Sequence, residues 1–339
     1  MIEPLKKPRR APGMVDVAAL AGVSAQTVSR VLRGQTNVQD STRDKVLAAV
    51  EQLGYRRNNA ARALSSGRSR AFGIVQLQTG YYSRTAIISG VEAAAREAGY
   101  SLSAATSPSL DPAAIEEAMS VLADQGVEGI ILALPLIHAT RGIEELTRAI
   151  PTVSIDGSRT SATEVVAVDQ THAAQLATRH LLDLGHRSVW HVSGPPEWHD
   201  AASRSAGWRQ TLESAGIVPP EELVGDWSPE SGHRLGLELG RRPEVTAVFV
   251  SSDEMAFGVI RALHELGRSV PEDISVVSVD NIPLAEYCSP PLTTVAQPFE
   301  EMARVAVDHL LRHISDPATL TVDSIEPRLI VRASTSAPR

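Results

Sequence analysis

The sequence predicts an α/β protein in two unequal parts: a small three-helix headpiece containing a helix-turn-helix, then a large two-lobed body built on parallel sheets. Three observations carry this reading. Within the first sixty residues, apolar side chains recur at helical spacing on both sides of one glycine, Gly22. From Phe72 onward, short apolar runs alternate with amphipathic stretches, the pattern of β–α units whose strands are buried on both faces. Charge divides the chain at the same place: residues 1–70 hold 13 Lys and Arg against 5 Asp and Glu, a net +8, whereas the remainder carries −16.

With 339 residues and 43% hydrophobic content, the chain can fill the cores of about two or three domains. No apolar segment follows the opening Met1 to Arg10, and no run approaches the roughly 18 apolar residues of a membrane helix, so a cytoplasmic protein is expected. The single cysteine, Cys288, excludes an intrachain disulfide framework and a cysteine-rich metal site. No cofactor and no metal are expected. The motifs of phosphate loops, dinucleotide folds, nucleophile elbows and zinc proteases are missing, which speaks against an enzyme. His186, His191 and His199 come nearest to a metal cluster, but His191 falls in a strand-like run and the others near turns, so structural roles are expected for them.

A basic, Pro-rich leader over residues 1–13 is expected to be disordered, and 14–56 forms the headpiece. In VDVAALAGVSAQTVSRVLRGQ, Val17, Ala18 and Ala21 make the inner face of a first helix that Gly22 ends in the left-handed conformation. Ser24 caps the second helix, on which Val28, Val31 and Leu32 face inward. Ala25, Gln26, Thr27, Ser29 and Arg30 then point outward. Gln pairs bidentately with adenine and Arg with guanine in the major groove, and this motif presents them from the start of its second helix. A capping box of Ser41 with Asp44 opens a third helix, whose Val46, Val50 and Leu53 complete the core.

The stretch from VDVAALAGVSAQTVSRVLRGQ through EQLGYRRNNAARALSSG resembles the headpiece and hinge of the lactose-repressor (LacI/GalR) family of bacterial transcriptional regulators. The likeness continues through nearly the whole chain. It implies a hinge helix and linker over 57–68, with Asn58, Ala61 and Leu64 in the minor groove of operator DNA and Leu64 wedged between bases. Ala60, Ala61, Ala63 and Leu64 are good helix formers, but so short a helix needs a partner to be stable. Arg57 stands where the family usually has a proline. The resemblance also implies a periplasmic-binding-protein-like body over 69–339, with an N-lobe at about 70–167 plus 298–331 and a C-lobe at about 168–297. Because no apolar heptads follow RLIVRAS, a homodimer is the expected assembly, cytoplasmic and nucleoid-associated.

In such a body ligands bind beyond the carboxyl ends of the strands. Asp156, Asp169, Asp253 and Asp280 end strand-like runs there. Asp169 and Asp253 precede helices and are read first as caps. Asp156 and Asp280 precede loops and are read as acceptors for sugar hydroxyls. By resemblance, GPPEWHDAASRSAGW is an effector loop and helix in which Arg204 forks onto the ligand, with Asp200 one turn earlier. Trp227, in GDWSPESG, corresponds to a tryptophan that stacks on a pyranose ring, and Gln297 and Phe299 match further pocket positions. Trp190 and Trp208 are assigned to the core, and Trp198, like them, is expected farther from the ligand. QTGYYSRT departs from the lactose repressor, and Tyr81 and Tyr82 would enlarge an aromatic platform. The expected effector is a small sugar, a β-galactoside or related β-glycoside acting as inducer, although in purine-responsive relatives the small molecule promotes DNA binding. A sugar-transport protein and a sugar-modifying enzyme are the alternatives. The first has no use for a basic headpiece, and the second lacks a catalytic motif.

Overall fold

The structure, a computed structural model, describes residues 12–32, 34, 37–55, 67–135, 140–157, 163–316 and 322–339. It divides into two compact units, one ending at Ser69 and the other running from Arg70 to Arg339.

In the first unit α1 (Met14–Ala21), α2 (Ala25–Leu32) and α3 (Asp40–Leu53) enclose Val17, Ala18, Ala21, Val28, Val31, Val46 and Ala49. Gly22 ends α1 at φ 68°, and Ser24 Oγ accepts the Thr27 amide at 3.1 Å to cap α2. The expected capping box at Ser41 is not formed. Gln39 is the N-cap and α3 starts at Asp40, so Ser41 lies inside the first turn and Asp40 complements the helix dipole instead.

The second unit starts with β1 (Ala71–Leu77), α4 (Tyr82–Glu97), β2 (Ser101–Ser107), α5 (Pro112–Asp124), β3 (Gly129–Ala133), α6 (Arg141–Ala149), β4 (Thr152–Ile155) and β5 (Glu164–Val168). The chain then crosses to a second lobe with α7 (Gln170–Asp183), β6 (Trp190–Ser193), α8 (His199–Ser214), β7 (Leu223–Val224) and α9 (Pro229–Leu239). This lobe continues through β8 (Ala247–Val250), α10 (Asp253–Glu265), β9 (Ser275–Asp280), a 3-10 turn at Pro283–Glu286 and β10 (Thr293–Ala296). It crosses back for α11 (Phe299–Ser315) and β11 (Val322–Ile325), and a third time for β12 (Arg328–Ile330).

The first sheet, ordered β11-β5-β4-β3-β1-β2, is wholly parallel, with Phe72 opposite both Leu102 and Gly129. The second, β12-β10-β9-β8-β6-β7, is parallel except where β12 runs against β10. Their inner strands are buried end to end, as helices on both faces require. In each sheet the strand order reverses beside the first strand, between β1 and β3 and between β6 and β8, so both lobes open a crevice at their carboxyl edges.

The return segment is shorter than the 298–331 that the resemblance implies. Residues 299–325 complete the first lobe, where Phe299, Met302, Ala306 and Leu310 join its core. Arg328–Ile330 instead pair with Thr294–Ala296, and Ser334 Oγ donates to the Val276 carbonyl at 2.6 Å. An uncovered β10 would be an open edge, and the tail closes it.

Asp169 caps α7, accepting the His172 amide at 2.8 Å. Asp253 does not cap α10. That role falls to Ser252, whose Oγ accepts the Met255 amide. The buried Asp253 carboxylate accepts from Ser278 Oγ at 2.5 Å, Thr294 Oγ1 at 2.7 Å and the Ile282 amide at 2.8 Å, binding β9 to β10. Burial pushes its pKa up to about 6 against these bonds. Replacing Asp253 by Ala strands three buried donors and should destabilise the second unit by about 2–5 kcal/mol. Urea unfolding of the two proteins checks this, and a loss below about 1 kcal/mol would show that the donors find other partners.

Candidate ligand cleft and the outward face of the second helix

Between the lobes lies a cleft with an empty volume of about 430 Å³. The eight ligand candidates named from sequence, Tyr81, Asp156, Asp200, Arg204, Trp227, Asp280, Gln297 and Phe299, all line it, together with Ser83, Arg84, Trp198, Ser252 and Glu254. These side chains come from segments that follow β1, β4, β6, β7, β8, β9 and β10, the carboxyl ends where the topology places a ligand.

Arg204, on α8, is 3% exposed. Its Nε donates to Gln170 Oε1 at 2.9 Å, Nη1 donates to the Ser251 carbonyl, and Nη2 lies 4.0 Å from Asp280 Oδ1. Gln170 Nε2 donates to Gln297 Oε1 at 2.8 Å, and Gln297 Nε2 donates to Asp280 Oδ1 at 2.5 Å. The chain of bonds holds the guanidinium from α7, β9 and the crossover after β10. Sequence reading missed Gln170, which sits beside the more conspicuous Asp169.

Backbone strain concentrates at the same place. Asp156 has φ 55°, Trp227 φ 73° and Asp280 φ 124°, values that cost a residue with a side chain about 1–3 kcal/mol. Trp227 reaches its position over Gly194, where a Cβ would stand 2.2 Å from the indole. Only glycine after β6 leaves room for that ring.

Two residues belong to the cleft that the sequence placed elsewhere or passed over. Trp198, expected farther from the ligand, lines the cleft with its ring centroid 5.6 Å from that of Trp227 and the planes inclined at 59°. The loop before α8 carries it inward, where it packs against the cores of both lobes. Arg84, in the first turn of α4, is buried and pairs with Asp200 across the lobes at 3.4 Å. A positive side chain after two tyrosines reads as surface in a sequence, and nothing local shows that α4 turns it inward. Trp208 is fully buried, as expected, with its Nε1 donating to the Val189 carbonyl, whereas Trp190 is half-buried beneath Arg242. Further bonds cross the cleft: Tyr81 Oη donates to the Asp226 carbonyl at 3.0 Å, and the Tyr82 amide donates to Glu254 Oε1 at 2.9 Å.

Burial raises Asp156 to about 7, with Asp200 adding to the shift and Arg84 opposing it. Burial likewise lifts Asp280 well above the usual carboxylate range against the pull of Arg204. Arg84 Nη1, Asp200 Oδ1 and Trp227 Nε1 are buried without hydrogen-bond partners. A cleft with two guanidiniums, four carboxyl groups and unsatisfied donors and acceptors suits a neutral polyhydroxyl compound better than an anion.

On the headpiece, Ala25, Gln26 and Arg30 are exposed and Thr27 and Ser29 partly so, while Val28 and Val31 are buried. Gln26 and Arg30 stand one turn apart on the outward face of α2. Asn58, Ala61 and Leu64 lie outside the described residues. Among the described residues, no grouping of His, Cys, Asp and Glu could hold a metal ion, and no single helix is long and apolar enough to cross a membrane.

Residues 13–58 match the family described as bacterial regulatory proteins, lacI family, and residues 178–335 match a periplasmic binding protein-like domain. The HTH-type transcriptional regulator CelR of Thermobifida fusca is 34% identical over 96% of this chain and 99% of its own length. The chain belongs to the lactose-repressor family. As a member it is a DNA-binding transcriptional repressor with a sugar-binding effector domain. The lactose operon repressor of Klebsiella pneumoniae is 31% identical over 96% of the chain and 93% of its own length. Two solved structures give the same picture. A lac repressor dimer bound to operator and the anti-inducer ONPF superposes with a TM-score of 0.88 at 31% identity, covering 97% of this chain and all of that one. A CelR–cellobiose complex superposes with a TM-score of 0.71 at 32% identity, covering 95% and 99%.

The buried carboxyl of Asp156 gives this family member a pH signature. Free aspartate titrates near 3.8, so between that value and about 7 the folded protein holds a proton that the unfolded chain has released. The contribution of Asp156 to stability is therefore greatest below about pH 4 and falls as pH rises to about 7. Relative to Asp156→Asn, the wild type should lose up to about 1.4 kcal/mol per pH unit in this window. Paired urea titrations at pH 4.5 to 7.5 measure the slope, and a constant difference would mean that Asp156 stays ionised.

Proposed function

We propose that the chain is a homodimeric repressor, working at the nucleoid, whose operator affinity is lowered by a neutral β-glycoside held between the lobes. One observation carries the effector reading: Trp227, forced into a left-handed backbone over Gly194, sets a flat apolar ring beside Arg204, itself tied to Gln297 and Asp280. Pyranose faces are patches of C–H groups rimmed by hydroxyls, and this arrangement offers a partner to both parts. The CelR–cellobiose complex supports a β-glucoside as well as the β-galactoside that the lactose-type context suggests. Asp156, Asp200, Tyr81 and Phe299, which also line the cleft, complete the proposed contacts.

The mechanism is linkage. Sugar favours the closed cleft, DNA favours the state with paired hinges, and each weakens the other by the same factor. Residues 14–56 read the major groove through Ala25, Gln26, Thr27, Ser29 and Arg30, and Asn58, Ala61 and Leu64 of the 57–68 hinge are assigned to the minor groove. Residues 69–339 hold the effector and the dimer contacts.

Two variants test the two ends of this proposal. Gln26→Ala should relax base preference at one operator position by about 1–3 kcal/mol while leaving affinity for random duplex nearly unchanged. Selection from a randomised duplex pool followed by titration measures both, and equal weakening on all DNA would show that Gln26 touches only backbone. Arg204→Ala should weaken a sugar identified by thermal-shift screening by about ten- to a hundredfold and leave the protein bound to operator at sugar concentrations that release the wild type. Unchanged sugar affinity would remove Arg204 from the site, and tighter operator binding with sugar would make the ligand a co-repressor.

A further inference from the structure

We infer that the cleft is built for two sugar rings joined at an angle, with Trp198 and Arg84 forming the subsite for the second ring. This rests on the reading of the cleft as a sugar site and goes beyond it in fixing the class as disaccharide and naming the residues that select it.

The two indoles decide the matter. Sandwiching one pyranose between them would require nearly parallel planes about 7–8 Å apart, twice the carbon–carbon contact distance. Trp198 and Trp227 are inclined at 59° with centroids 5.6 Å apart. Both come from the second lobe, Trp198 from the loop after β6 and Trp227 from the loop after β7. They form two facets of a bent floor, and one flat ring can lie on only one facet.

Each facet has its own polar equipment. Beside Trp227 is Arg204, its guanidinium carbon 5.7 Å from the ring centroid, and the indole Nε1 is buried without a partner. Beside Trp198 is Arg84, at 5.6 Å. At the Trp198 facet, Arg84 Nη1 and Asp200 Oδ1 are a donor and an acceptor, buried and unpartnered, in side chains already linked by the 3.4 Å contact between Nη2 and Oδ2. A hydroxyl that accepts from the first and donates to the second satisfies both. Arg84 belongs to the first lobe, whereas Trp227, Trp198, Asp200 and Arg204 belong to the second. A ring on the Trp227 facet lies beside Arg204, and a second ring on the Trp198 facet lies beside Arg84 and Asp200.

Calorimetric titration of the intact protein with glucose, galactose, methyl β-glucoside, cellobiose and lactose tests the inference. At least one disaccharide should bind about a hundredfold more tightly than either monosaccharide or the methyl glycoside. Trp198→Ala should reduce that preference about tenfold or more, as should Arg84→Met, which keeps the length of the side chain without its donors. Trp227→Ala should weaken every sugar that binds. Trp198→Phe retains an aromatic facet and should keep part of the preference, so it and Arg84→Met give the answer if Trp198→Ala fails to fold. Equal affinity for one ring and two overturns the inference and leaves the sugar reading standing, as does a uniform loss for all sugars in the Trp198 and Arg84 variants. Failure of all five sugars to bind the wild type overturns the sugar reading itself.

Discussion

The cleft depends on a guanidinium removed from water. An unpaired charge in a protein interior costs several kcal/mol, so Arg204 must be surrounded by acceptors, and the chain supplies them from distant places. Ser251 contributes a carbonyl at the end of β8, Gln170 a side-chain oxygen from the first turn of α7, and Asp280 a carboxyl at the end of β9. Meeting that demand fixes the crossover through Gln297, whose amide spans Gln170 and Asp280. The unusual backbone at Asp280 belongs to the same constraint, since the carboxyl is held where its own main chain is strained.

The lobes meet at this seam largely through polar and charged groups: Arg84 with Asp200, Tyr81 with the Asp226 carbonyl, the Tyr82 amide with Glu254 and the His199 amide with the Pro135 carbonyl. Contacts of this kind give back in attraction much of what they lose in desolvation, and water can replace them when the lobes part. The apolar clusters that stabilise each sheet lie mainly within one lobe, although Trp198 touches both. A small free-energy difference can therefore separate open from closed, which is the condition for a ligand of modest differential affinity to move the equilibrium.

The alternation of buried strands and amphipathic helices was legible because each strand is covered on both faces and leaves an unbroken apolar run, as in GIILA of β3. The turn at Gly22 and the cap at Ser24 were legible because both are local. Arg204 and Trp227 were reached through a resemblance, and no pattern within the chain would have selected them. What escaped depends on meetings across long separations. Gln170 acquires its role from Arg204, 34 residues away, and from Gln297, 127 away, and Arg84 from Asp200, 116 away. β12 looks like a continuation of β11 in sequence, and only the open flank of β10 draws it to the other sheet. Asp253 has the position of a cap, but its donors come from β9, β10 and the residue after Asn281.

The triple crossing between lobes bears on how the molecule is made. The first sheet lacks its outer strand β11 and the covering helix α11 until residues 299–325 have been synthesised, although its other five strands end by Val168. During translation the headpiece can assemble at once from its three helices, while the first lobe waits, with Ile155, Val166 and Val168 short of their partners on α11, for about 130 further residues to leave the ribosome. The second lobe, lying between the two pieces of the first, completes most of its sheet during that wait. The lobe nearest the headpiece in sequence is thus finished only after most of the other has formed, and a nascent chain truncated before α11 would carry a finished DNA-reading unit on an unfinished body.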